Sequence, residues 1–140
     1  MIASGVPEPD DVTAPWWEAT RERRLLVQRC SSCDGRQHPP RAVCISCGTT
    51  GALGWIEASG AATVDTWTVV HRSPVPDGAT PYVIARVRLD EGPLLLTRLE
   101  PDLEWHIGDA VAVRWAALDD GRALPIFVRA TDRSSPPRNG

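Results

Sequence analysis

The sequence predicts a mainly β protein: a short N-terminal helix, a zinc ribbon, and a five-stranded barrel of the OB-fold type. Three observations predict it. Cys30, Cys33, Cys44 and Cys47, the chain's 4 cysteines, form two Cys-x-x-Cys pairs. Beyond Trp55 the apolar residues recur at period two through about five segments, with no helical spacing among them. Ahead of the cysteines, Pro15-Trp16-Trp17 opens a stretch that reads as a helix.

At 140 residues the chain makes one domain, or two small modules sharing one core. The expected division is lead-in and helix over 1–28, ribbon over 29–53, OB-fold over 54–132 and a disordered tail over 133–140. Residues 1–13, with Pro7, Pro9, Asp10 and Asp11, read as a loose lead-in. The helix is expected from an N-cap at Thr13, with Pro15 in its first turn, to about Val27. Its apolar content is thin, so it should need a neighbour to dock on through Trp16 and Trp17. A partner chain is favoured over this one as that neighbour.

Each Cys-x-x-Cys pair closes a tight turn that aims two sulfurs at one point, and two such turns supply a tetrahedral metal site. Gly35 and Gly48 follow the knuckles, where a residue tolerant of positive φ is needed. Two disulfides are the rival reading. The N-terminus has neither a basic start nor an apolar run, so no secretory signal is expected and a cytoplasmic setting disfavours disulfides. A redox dithiol would need only one pair. Structural zinc is therefore the expected cofactor. His38 lies beside the site, but four thiolates fill the tetrahedron, and it is expected to be exposed rather than ligating.

Strands are expected over 63–70, 82–89, 94–100, 110–117 and 123–130. In the second, Val83, Ala85, Val87 and Leu89 share one face and Arg86 and Arg88 the other. Asp90-Glu91-Gly92-Pro93, Ile107-Gly108-Asp109 and Asp119-Asp120-Gly121 supply the turns.

Composition narrows the function. No stretch reaches the roughly 20 apolar residues of a membrane span, so no membrane role is expected. Net charge is −3, and the segment from Trp55 to Asp132 holds twelve acidic residues against seven arginines. That balance is wrong for a single-strand nucleic-acid groove, the usual first thought for an OB-fold. All 15 basic residues are arginine, a chain-wide bias that says nothing about any one site. A zinc held by four thiolates has no position for water, and His71 and His106 have no local cysteine or serine partner. No catalytic residues are proposed. The 6 tryptophans suggest both core packing and a covered surface. The loop His71–Pro81, long for a barrel hairpin and stiffened by three prolines, is the candidate functional connection. Trp67, Arg72, Tyr82 and Arg86 lie on or beside it and could hold an adenine or a phosphate by stacking and forked hydrogen bonds; a rigid surface loop is the plainer alternative.

Read in order, the chain also resembles a known family. Pro15-Trp16-Trp17, Leu26-Val27-Gln28-Arg29-Cys30, Cys33, Pro39-Pro40-Arg41, Cys44-Ile45-Ser46-Cys47-Gly48, Ser59-Gly60, Thr68-Val69-Val70-His71-Arg72, Pro81-Tyr82-Val83, Val87-Arg88-Leu89-Asp90-Glu91-Gly92-Pro93 and Ile107-Gly108-Asp109 stand at compatible spacing. This series resembles the acyl-CoA-associated family with a rubredoxin-like zinc ribbon and an OB-fold, the domain of unknown function thirty-five, over roughly residues 14–130. Two positions depart from it: Asp34 stands where the family has glycine, and Ala62 replaces a frequent second glycine, which puts the bend at Gly60 in question. The resemblance implies a non-catalytic companion of a thiolase-fold acyl-CoA enzyme, such as a retro-aldolase of steroid side-chain degradation, or of a hot-dog-fold hydratase. It also implies that a CoA thioester could sit at a shared site. On this reading Trp16, Trp17 and the 71–81 loop face the partner. The alternative is a stand-alone acyl-CoA binding protein.

Overall fold

The computed structural model describes residues 5–101 and 104–130; the tail expected at 133–140 lies outside the described residues. Helix α1 (Ala14–Arg21) starts where Pro15 predicts it. Thr13 is the N-cap but makes no side-chain cap. Its hydroxyl instead joins Asp10, whose carboxylate accepts from the Val12 and Thr13 N–H groups at 2.9 and 2.8 Å. Those bonds, the Thr13 N–H first, hold Asp10 below the usual carboxylate range.

The helix is shorter than expected. Arg23 takes the left-handed conformation (φ 59°), and Arg24 N–H reaches back to Ala19 O, which closes the helix. Leu26 and Val27 then belong to a strand, because Val27, Gln28 and Cys30 are buried against a sheet neighbour. Strands β1 (Leu26–Cys30), β2 (Arg36–Gln37) and β3 (Leu53–Glu57) form an antiparallel sheet in the order β2-β1-β3. None of the three was anticipated as a strand.

The five barrel strands fall where the alternation predicts: β4 (Ala61–Val70), β5 (Tyr82–Leu89), β6 (Leu94–Leu99), β7 (Ala110–Ala117) and β8 (Ala123–Arg129). Their order, β6-β5-β4-β7-β8, is antiparallel throughout. β6 and β8 close the ring without a ladder; Thr97 Oγ1 donates to Pro125 O at 3.0 Å across the seam. Pro125 can occupy β8 because that edge needs no donor there. Gly60 takes φ +85°, and a β-carbon on it would stand 2.4 Å from Val113 Cγ1, so the bend needs glycine even though Ala62 follows.

A bulge between Val64 and Thr66 interrupts the β4–β5 register. Below it, Ala62 and Val64 point into the barrel; above it, Thr66–Val69 are exposed and the hairpin projects from the body.

The helix docks on its own chain. Trp16 and Trp17 are each 7% exposed and join Leu25, Val27, Val64, Val87, Trp105 and Phe127 in one core. This corrects the expectation that a partner chain, rather than this one, seats the helix. Burying an indole removes on the order of 200 Å² from water, worth at most about 5 kcal/mol. Thr20 fixes the docking angle: its hydroxyl donates to Trp17 O and accepts from Ala123 N–H. The lead-in is tied down as well. Arg122, 5% exposed, lies over the Trp17 ring at 4.6 Å, pairs with Asp120 at 2.6 Å and donates to Pro7 O at 2.8 Å.

Candidate metal centre and the surface beside it

Cys30 ends β1 and Cys33 follows in the first knuckle; Cys44 and Cys47 form the second. In the first, Asp34 N–H donates to Cys30 O at 2.8 Å and Cys30 N–H to Gly35 O at 2.9 Å. In the second, Gly48 N–H donates to Cys44 O at 2.9 Å and Cys44 N–H to Thr49 O at 3.2 Å. The left-handed residue of the first knuckle is Asp34 (φ 63°), not Gly35. Asp34 holds it with its carboxylate paired to Arg29, which keeps that carboxyl below the usual range. Gly35 is needed for room: a β-carbon there would lie 3.0 Å from both Cys33 Sγ and Ser46 Oγ.

The four sulfurs lie within 4.8 Å of one another, with Cys30–Cys47 at 3.8 Å and Cys33–Cys44 at 3.6 Å. Four thiolates about 2.3 Å from a tetrahedral zinc stand about 3.8 Å apart, so the donor set fits that ion. A disulfide would bring two of them to about 2.05 Å, and all four are free. Their acidities diverge. Gly35 N–H favours the Cys33 thiolate, but the Cys44 sulfur and burial outweigh it and push the thiol up to about 12. Thr49, through its hydroxyl and its N–H, brings Cys47 down to about 6. Sulfurs this crowded share protons unless a cation neutralises them together.

Two glutamines set the distance between the knuckles. Gln37 Nε2 donates to Gln28 Oε1 at 2.9 Å, and Gln28 Oε1 also accepts from Arg41 N–H at 2.8 Å. Gln28 Nε2 returns to Arg41 O, and Gln37 Oε1 accepts from Ile45 N–H, both at 2.9 Å. The Pro39-Pro40-Arg41 link and the second knuckle are thereby bound to β1 and β2.

His38 is outside the sulfur cluster but is not exposed. It is half-buried with its ring 5.8 Å from that of Trp16, and burial drops it from 6.5 to about 4.

Of the four residues expected around the 71–81 loop, Trp67 and Arg86 border one shallow depression, and Arg72 and Tyr82 are not among its lining residues. Register pairs Tyr82 with Val70 and Arg86 with Thr66, on one face, while Trp67 pairs with Ala85 on the other. Arg86 is engaged with Asp65 at 2.8 Å, and Tyr82 lies under Arg98 at 4.4 Å; Arg72 is exposed. Trp67, 36% exposed, is the one tryptophan classed with the exposed apolar residues; Trp55 and Trp115 pack on the core and Trp105 is buried. Ile84, Leu96 and Arg98 were not anticipated. Leu96 is 73% exposed on a strand whose neighbours Leu95 and Thr97 are buried. The run Leu94-Leu95-Leu96 carries the signal: three consecutive apolar residues in an alternating strand put at least one outside.

Residues 17–52 match the family model described as "ChsH2, rubredoxin-like zinc ribbon domain", and residues 55–116 that described as "ChsH2, C-terminal OB-fold domain". The chain is 39% identical over 117 residues to a probable enoyl-CoA hydratase alpha subunit of Thermomonospora curvata, covering 80% of this chain but 35% of that protein. It is 31% identical over 93 residues to a DUF35 domain-containing scaffold protein of Pyrococcus furiosus, covering 66% and 67% of the two. A chain of the solved Ltp2-ChsH2(DUF35) aldolase superposes with a TM-score of 0.80 at 36% identity, over 90% of this chain and 100% of that one. The chain thus spans about a third of the hydratase subunit. No helix among the described residues is long and apolar enough to cross a membrane.

Proposed function

The chain belongs to the DUF35 family of paired ChsH2-type zinc-ribbon and OB-fold domains, and on that premise we propose that it is a non-catalytic subunit or domain docking on a thiolase-fold acyl-CoA enzyme. The enzyme favoured is a retro-aldolase acting on steroid side-chain thioesters. One observation carries this reading: a chain of an aldolase named for two components, Ltp2 and ChsH2(DUF35), is matched along its whole length. The partner supplies the nucleophile or base. This chain supplies a rigid, zinc-pinned surface that supports assembly and borders the channel for the CoA thioester. Cys30, Cys33, Cys44 and Cys47 hold the zinc, whose four-sulfur shell leaves no place for substrate.

Identity to the hydratase alpha subunit supports a second reading, the same domain serving a hot-dog-fold hydratase. Co-expression with each candidate enzyme from the source organism, followed by tandem affinity purification, tests both. A stoichiometric complex with the thiolase-fold chain, and steroid-CoA cleavage only by that complex, is the expected result. Thioester turnover or tight acyl-CoA binding by the isolated chain, read by calorimetry, would instead favour a stand-alone binder and overturn the proposal.

A further inference from the structure

The outer face of β5 and β6 bears two shallow depressions that share Ile84 and Leu96. One, of about 280 Å³, runs from Trp16 and His38 across Leu96 to Arg98 and Ile126; the other, of about 350 Å³, is bounded by Thr66 and Arg86. Leu96 stands between them, 73% exposed. The indole N–H of Trp16, which borders the first depression, is buried and has no hydrogen-bond acceptor among the described residues. Leaving such a donor unmatched costs about 1–3 kcal/mol.

Each depression is the size of one or two side chains, near the bottom of the range of roughly 300–1,000 Å³ for small-molecule pockets. An exposed apolar centre with a cation at its border, Arg98 on one side and Arg86 on the other, suits a protein segment with apolar side chains better than a small molecule. A second copy is a poor occupant. A two-fold contact through Leu96 would set Arg86, Arg88 and Arg98, with one carboxylate, Asp65, among them, against the same set on the other copy.

We infer that this face, centred on Leu96, is where the chain grips its enzyme subunit, an assignment that rests on the subunit reading above. The occupant is a segment of that enzyme with two apolar side chains, one for each depression, flanked by a carboxylate that meets Arg98, since Arg86 already pairs with Asp65. The ribbon contributes through His38 and the helix through Trp16, so the partner touches all three layers at once. Trp67 borders the second depression beside Thr66, and the 71–81 loop lies outside the contact.

The test uses this chain and the thiolase-fold enzyme of the same organism, each purified, with affinity measured by calorimetry. Leu96→Asp and Arg98→Glu should each weaken binding at least tenfold, while Ile45→Asp, at an exposed position on the ribbon, leaves it unchanged. Leu96 is solvent-facing, so its variant keeps the wild-type melting temperature and zinc content. Wild-type affinity in Leu96→Asp, or loss of binding in Ile45→Asp, would overturn the assignment while leaving the subunit reading intact. Sedimentation showing the chain alone as a dimer that Leu96→Asp dissolves would give the face to a second copy, and overturn it too. A wild-type chain that binds no such enzyme overturns the subunit reading itself, and this assignment with it.

Discussion

Gln28 and Gln37 face each other inside the ribbon, and between them every bond either amide makes goes to the other or to the main chain between Arg41 and Ile45. Both are buried. Gln28→Ala would leave Arg41 N–H, Arg41 O and one of the two N–H groups of the buried Gln37 amide without their partner, at about 1–3 kcal/mol for each group that water does not reach. The expected outcome is a lower melting temperature together with faster zinc loss to a chromophoric chelator, because the second knuckle loses its brace. Gln28→Glu, which keeps an acceptor for Arg41 N–H, should lose less than Gln28→Ala.

Zinc should be present at one ion per chain after purification without added metal, measured by atomic emission. Cys30 and Cys44 are buried while Cys33 and Cys47 are exposed. Serine at either buried position should abolish metal retention and unfold the ribbon by circular dichroism. A metal-free chain with the wild-type spectrum would contradict the zinc assignment.

Trp17 is a core residue, so Trp17→Ala should cost about 3–5 kcal/mol, seen as a shift in urea midpoint. Any accompanying loss of a partner would then follow from a loosened helix. Arg122→Met keeps much of the packing over the indole but releases Pro7. Limited proteolysis should cut ahead of α1 faster in that variant.

Gly60→Ala combines a left-handed backbone with a 2.4 Å contact to Val113. A loss of about 2 kcal/mol or more is expected. Trimming the neighbour, as in Gly60→Ala/Val113→Ala, relieves the contact but not the backbone strain, so rescue should be partial. Thermal melts of the four proteins in the cycle measure both parts.

His38 gives a pH signature. Its pKa is about 4 in the fold and near 6.5 unfolded, so between those values the unfolded chain binds the proton and the folded chain does not. Stability from this group is therefore full above pH 6.5 and declines as pH falls toward 4, by on the order of 2–3 kcal/mol in all. Zinc loss in acid affects every variant, so the measurement is a difference: His38→Phe should show a shallower fall than wild type across that window.

The cysteine spacing and the period-two strands were legible because each rests on local chemistry: two-sulfur turns and alternating exposure. Less visible was anything set by a distant neighbour. The helix was read through to Val27 because Leu25, Leu26 and Val27 suit either state, and only pairing with Leu53–Glu57 decides for strand. Trp16 and Trp17 carry no mark of which surface covers them; the answer lies at Phe127 and Ala123, about a hundred residues on. Trp67 and Arg86 meet at one depression, while Tyr82 lies under Arg98 of β6, a division set by strand pairing that sequence proximity does not show.

Arg122 reaches Pro7, and Ala123 meets Thr20, so the first helix finds its seat only when the final hairpin arrives. The four cysteines, by contrast, span eighteen consecutive positions, and their braces Gln28 and Thr49 stand within two residues of that span. A nascent chain therefore captures its ion early, while the helix waits for the C-terminal strands to leave the ribosome. Metal starvation during synthesis should thus be felt at the start of maturation, and a chain cut short before β8 would carry its ion yet leave two indoles bare.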